Sequence, residues 1–126
     1  MKIVIAHSHR PTREVLARAF MCRLKAEVET FSCVEDALLS SLNYDVCVVY
    51  NNFGHKMDGL RGVSHFRARW PRAFIIGVSY KPNMERKFLP AGADAFLLRA
   101  GNEIAELVEI IRKHSTKPDM TTARPT

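Results

Sequence analysis

The feature that most constrains this chain is an alternation, made five times over, between a short unbroken apolar run and a stretch of helical periodicity. The first run, Ile3-Val4-Ile5-Ala6 after Lys2, predicts a strand over 2–6. Its apolar residues are continuous, as in strands buried on both faces. Over 12–24, Val15, Leu16, Ala19, Phe20 and Leu24 recur at helical spacing, with Arg13, Arg18 and Arg23 largely between them. A second strand is expected over 28–31. Ser32 then stands where it can cap a helix carrying Val34, Ala37 and Leu38, with Glu35 in the capping-box position.

The most apolar run, 45–50, predicts the third strand, which Asn51-Asn52-Phe53-Gly54 breaks because Asn and Gly tolerate turn geometry. After Gly59, Leu60, Val63 and Phe66 line one face of a third helix, which Pro71 ends. A fourth strand follows over 73–78, and Pro82 and Asn83 open a short helix through Phe88 and Leu89. Gly92 punctuates that helix, Ala95-Phe96-Leu97-Leu98 gives the fifth strand, and Ile104, Leu107, Val108 and Ile111 mark the core stripe of a last helix.

Strands alternating with helices imply an α/β fold with a parallel sheet covered on both faces. Right-handed crossovers leave few topologies for five strands, of which the doubly wound, flavodoxin-like (βα)5 order 2-1-3-4-5 is the common one. The 126 residues suit one domain, expected over 1–114, and 115–126 reads as a disordered tail or linker because it has almost no apolar residues.

Bulk properties narrow the function classes. No apolar stretch approaches the roughly 20 residues of a membrane helix, and the first run reads as a strand, not a secretion signal. The three cysteines, Cys22, Cys33 and Cys47, are odd in number and form no C-x-x-C spacing. They read as reduced thiols, which favours the cytoplasm. About half of the net charge of +6 lies in the last fifteen residues, where Arg112, Lys113, Lys117 and Arg124 face Asp119 alone. A second basic cluster runs through Lys56, Arg61, Arg67, Arg69 and Arg72 beside Trp70, opposed by Asp58. Such a patch could contact nucleic acid or an acidic protein. Phe66 and Trp70, four apart on one helix face, favour packing for the indole over base stacking.

In an open parallel sheet, ligands gather at the carboxyl ends of the strands. Here those ends supply His7 and Ser8, Tyr50 and Asn51, Ser79, and Arg99. The turn His7-Ser8-His9-Arg10-Pro11 contains no glycine, which leaves a dinucleotide or P-loop reading unsupported. His7, His9 and His55 could form a transition-metal site, but no carboxylate or Cys joins them at a convincing spacing. Neither a metal nor a cofactor is expected.

In their order these motifs resemble the receiver domain of bacterial response regulators, over residues 2 to about 114. Met57-Asp58-Gly59 is similar to the Met-Asp-Gly that follows the family's phosphoacceptor loop, and Gly77-Val78-Ser79 to its fourth strand ending in a switch Ser or Thr. The most specific segment is Ala91-Gly92-Ala93-Asp94-Ala95-Phe96-Leu97-Leu98-Arg99, similar to Gly-Ala-Asp-x-Tyr/Phe-Leu-Leu-Lys. Arg13 and the spacing from Ser79 to Arg99 look most like the branch often joined to a helix-turn-helix output domain.

The departures fall on the positions that carry the family's chemistry. His7 and Ser8 replace the acidic pair that would hold Mg²⁺, and Arg99 replaces the phosphoryl-contacting lysine. The phosphoacceptor position maps to Asn51 counted back from Met57, or to Tyr50 counted forward from Asp45, and neither is a carboxylate. Phosphoryl transfer to a carboxylate needs both the nucleophile and the charge-neutralising metal.

What the resemblance implies is therefore a non-enzymatic, degenerate receiver acting by phosphorylation-independent protein contact. Its Ser79 and Phe96 stand at the switch pair, and Arg99 either binds an anion with Ser8 and Ser79 or fills the vacated pocket as a lock. The family's interaction face, helix four, strand five and helix five, maps to 82–89, 94–98 and 102–114, for a homodimer or a protein partner. The alternatives are a fragment of a DNA-linked transcriptional regulator with its output domain outside this chain, and a basic nucleic-acid-binding module.

Overall fold

The computed structural model describes residues 1–50, 59–99 and 101–115. Five strands and five helices alternate along the chain: β1 (Lys2–Ala6), α1 (Arg10–Leu24), β2 (Glu27–Phe31), α2 (Val34–Leu38), β3 (Val46–Tyr50), α3 (Gly59–Arg69), β4 (Phe74–Ser79), a 3₁₀ turn (Pro82–Met84), α4 (Glu85–Ala91), β5 (Ala95–Leu98) and α5 (Glu103–Ser115). All strand pairs are parallel, in the order β2-β1-β3-β4-β5, as the alternation predicts.

Pleating divides the sheet's side chains between two cores. Ile3, Ile5, Val46, Val48, Ile76 and Val78 point toward α1 and α5, where Leu16, Phe20, Leu107 and Ile111 meet them. Val4, Ala6, Cys47, Val49 and Ile75 point the other way, against Val34, Val63, Phe66 and Phe88. Apart from Lys2, Tyr50 and Ser79 at strand ends, the central strands are therefore apolar, because each successive residue enters a core. Among the described residues no helix is long and apolar enough to cross a membrane.

Four local expectations are corrected. α1 starts at Arg10, two residues early, because the His9 imidazole caps it by accepting from the Thr12 amide and Pro11 fits the first turn. Val15 is half exposed, and Ala17 takes the core position instead. α2 is capped at Cys33 with no side-chain bond, so Ser32 sits one residue outside the expected cap. Ser115 still belongs to α5, and the rest of the expected tail lies outside the described residues.

The basic cluster is also revised. Trp70 is buried, edge-on to Tyr44 and Phe66 at 5.0 and 5.3 Å, and its indole N–H donates to the Leu42 carbonyl at 3.0 Å. Arg67 turns away from any external anion and donates to the carbonyls of Pro71, Ala73 and Gly92 and to the Asp94 carboxylate. Lys56 and Asp58 lie outside the described residues.

Candidate functional site

The sheet's backbone delivers the strand-end residues to one edge. The His7 amide continues the β1–β2 ladder onto Phe31 O at 3.0 Å, and the Arg99 amide continues β4–β5 onto Ser79 O at 2.8 Å. Tyr50 is the last residue of β3 and points toward α1 and α5. Three of the expected positions are thereby fixed by main-chain pairing rather than by loops.

At this edge His7 packs on Tyr50, ring centroids 4.2 Å apart and tilted by 52°. The Tyr50 hydroxyl donates to Glu103 at 2.8 Å, at the start of α5. Arg99 closes the group: its Nε donates to Glu103 at 3.2 Å and its guanidinium lies 5.6 Å from the Tyr50 ring centroid. Burial, reinforced by the bond to Glu103, pushes the Tyr50 phenol well above its ordinary range, so the ring is a neutral donor at physiological pH.

His7 is held from several sides. Its Nδ1 accepts from the His9 amide at 2.9 Å, which puts the proton of the neutral ring on Nε2. That Nε2 is buried and has no partner among the described residues, and neither has Arg13 Nε. Arg13 donates through Nη1 to the carbonyls of His7 and Ser8, at 3.1 and 3.3 Å. Burial first, then the nearby charges of Arg99, His9 and Arg13, lower the imidazole from 6.5 to about 4.

That depression has a measurable consequence. Between pH 6.5 and about 4 the unfolded chain binds the His7 proton and the folded chain refuses it. Stability is therefore lost as pH falls through this window. For a group only 4% exposed we expect a loss of about 1–3 kcal/mol attributable to His7. Urea unfolding of the wild type and His7→Gln at pH 7 and near the foot of that window measures it. An equal pH response in the two proteins would remove the assignment.

The remaining expected residues take separate places. Ser79 Oγ accepts from the Lys81 amide at 3.1 Å and so caps the turn that follows β4. Phe96, half buried, packs on Phe88 at 5.7 Å. Ser8 is exposed, and Asn51 lies outside the described residues. His9 stands 6.3 Å from His7 between ring centroids, while His55 is outside the described residues. Among those described, no three His, Cys, Asp or Glu side chains gather as a metal site. Of the three cysteines, all free, Cys47 is buried, which pushes its thiol up to about 12, Cys33 is half buried and Cys22 is exposed.

Glu103 is the member that sequence reasoning missed. It stands 53 positions from Tyr50, with no motif to join them. The one available signal was its position four residues after Arg99, the spacing of a helical ion pair.

No protein-family model and no curated protein matches the chain. Solved structures do match. The receiver domain of DrrB in its BeF3-activated form superposes with a TM-score of 0.81 at 17% identity, over 92% of this chain and 97% of that one. A longer DrrB chain, a response regulator of Thermotoga maritima and an OmpR/PhoB homologue, gives 0.80 at 17% identity over 90% of this chain. The chain spans about half, 52%, of the length of that protein. The Thermotoga maritima response regulator TrrA, in complex with Mg²⁺ and beryllium fluoride, gives 0.77 at 23% identity over 89% of this chain and 96% of that one. An orphan response regulator of H. pylori gives 0.76 at 18% identity over 90% and 94%. The chain therefore has the fold of response-regulator receiver domains.

Proposed function

We propose that this chain is an atypical receiver module of a cytoplasmic signalling pathway, acting by protein contact without aspartyl phosphorylation. The observation that carries this reading is the group at the carboxyl edge of the sheet in which His7 packs on Tyr50 while Tyr50 and Arg99 both donate to Glu103. Mg²⁺ takes carboxylate, carbonyl and water oxygens in a near-octahedral shell. The described side chains at this edge supply one carboxylate, Glu103, whose oxygens already accept from Tyr50 and Arg99. Arg13 and Arg99 add positive charge, which a divalent cation meets as repulsion. This donor set does not fit Mg²⁺, in contrast to TrrA, which is complexed with Mg²⁺ and beryllium fluoride. Arg99, tied to Glu103 and the Tyr50 ring, serves as the lock that holds one conformation.

Signalling then passes through the face made by α4, β5 and α5. α4 exposes Arg86, Lys87 and Leu89, the edge strand exposes Leu98, and α5 exposes Glu106 and Glu109. A two-fold pairing sets the cations of one copy against the carboxylates of the other, around the two leucines. Without a phosphorylation step, the equilibrium between conformations is set by a partner's differential affinity for them.

A titration of amide NMR resonances with Mg²⁺ and then beryllofluoride tests the reading. Resonances of Tyr50, Ser79 and Arg99 are expected to stay in place. Saturable, Mg²⁺-dependent shifts at those residues would restore phosphoryl chemistry and end the proposal. A second reading, favoured by the 52% coverage of the longer DrrB chain, makes this chain the receiver part of a longer regulator with its own output domain.

A further inference from the structure

The amino-terminal end of the sheet, opposite the candidate site, holds a cavity of about 340 Å³ between the segment leading into β3 and the turn from α3 to β4. Its apolar side is made by Tyr44, Trp70 and Pro71, and its polar side by Asn43, Arg69 and Arg72. We propose that this cavity binds a mononucleotide, with the base stacked against Arg69 and the phosphate held by Arg69 and Arg72.

The charge balance asks for an anion. Arg69 and Arg72 have no carboxylate partner among the described residues. The one carboxylate on the lining, Asp45, accepts from the Lys2 amide through Oδ2 at 2.8 Å. Two guanidiniums therefore stand against one carboxylate, and the lining is net positive. An arginine fork matches the geometry of phosphate oxygens and holds them bidentately.

The geometry asks for a flat group beside that anion. The Arg69 guanidinium lies over the Trp70 indole at 5.1 Å, and one Nη2 bond to Ser40 O at 2.9 Å holds it there. A guanidinium fixed on an aromatic ring has one face covered and the other open for stacking, and its remaining donors are preorganised. Arg72 is exposed and can close over the phosphate. The volume lies at the small end of ligand pockets, which suits one base and one phosphate.

Arg67 limits the ligand to a single nucleotide. A backbone track for a nucleic-acid strand needs successive cations along a groove. Arg67, the neighbouring cation along α3, is consumed by three carbonyls and Asp94. What remains is one anchoring point.

Trp70, the only tryptophan of the chain, reports directly on this cavity. The whole chain is titrated with AMP, adenosine and inorganic phosphate while indole emission is read. AMP is expected to give a saturable change with a Kd below about 1 mM, and adenosine and phosphate to bind at least about tenfold more weakly. Arg72→Ala, at an exposed position, is expected to weaken AMP by about tenfold or more and to leave the melting temperature unchanged. The absence of saturation with AMP would overturn the proposal, as would phosphate binding as tightly as AMP. So would an oligothymidine whose affinity grows with its length and falls steeply with salt, since that is the behaviour of a strand-binding surface.

Discussion

Replacing Arg67 with alanine is expected to lower the free energy of unfolding by about 3 kcal/mol, among the largest effects of any substitution on the described surface. The side chain is 29% exposed, yet every one of its donors is engaged. Nε reaches Gly92 O at 3.1 Å, Nη1 reaches Pro71 O and Ala73 O at 2.8 and 2.9 Å, and Nη2 reaches Gly92 O and Asp94 at 2.8 and 2.6 Å. Those carbonyls belong to two separate turns, the one from α3 to β4 and the one from α4 to β5. Asp94 Oδ2 also accepts from the Ile75 amide at 2.8 Å, so the ion pair is joined to the sheet. Truncation strands the carbonyls and leaves the carboxylate without its countercharge, and that desolvation cost exceeds the loss of a surface pair.

Arg67→Lys is expected to recover little, since an ammonium is a point charge that cannot span acceptors placed around a planar fork. Urea unfolding at neutral pH, followed by far-UV circular dichroism, measures both variants and Asp94→Asn. A loss below about 1 kcal/mol for Arg67→Ala would mean that water replaces these bonds at little cost. The result also bears on function, because an arginine that anchors two turns is withdrawn from the basic cluster that suggested nucleic acid.

Element order could be read along the chain because it depends on neighbours a few residues apart, and right-handed crossovers then left few sheet orders to choose from. Within a strand the period of two places Ile3 with Ile5 and Val46 with Val48, and helical spacing groups Leu107, Val108 and Ile111; that all of them meet in one core is a finding of the structure. Periodicity reports direction and leaves the neighbour across the gap unspecified. Val15 and Ala17 illustrate the cost: two positions apart, they point to different sides of α1, and Ala17 enters the core while Val15 stays half exposed. The Cys33 cap was missed because Ser32 is the better intrinsic cap, and packing of Val34 under α3 set the helix start one residue later.

The candidate edge divides in the same way. His7, Tyr50, Ser79 and Arg99 follow from strand ends, which local patterns locate. Glu103 reaches Tyr50 only through the docking of α5, which its spacing from Arg99 does not encode. The same limit applied to Arg67, whose acceptor at Gly92 is 25 positions away and is a backbone carbonyl that any residue would supply.

Gly77→Ala is expected to destabilise the fold by about 2–3 kcal/mol, an overpacking cost and not a backbone one. Gly77 lies within β4 on the face that carries α2, α3 and α4. A methyl group added there would stand 2.4 Å from Phe88 Cδ1, 2.8 Å from Cγ and 2.9 Å from Cε1. The ring is fully buried and packs on Phe96, so it cannot swing aside without moving α4. Shrinking the obstacle tests the cause. In Gly77→Ala/Phe88→Leu the clash is relieved, and the double variant is expected to be more stable than the sum of the single losses by about 1 kcal/mol or more. Strict additivity would show that the glycine is needed for some reason other than Phe88. The displacement is also a lever on the proposed signalling face, because α4 carries Arg86, Lys87 and Leu89. Gly77→Ala is then expected to shift the NMR resonances of α4 and β5 and to leave the side chain of Tyr50 and its partner His7 unmoved, since the added methyl enters the core that carries Phe88 while Tyr50 points into the other one. Shifts spreading to His7 and Tyr50 would reveal a coupling between that edge and the α4 face, which the proposed signalling role calls for.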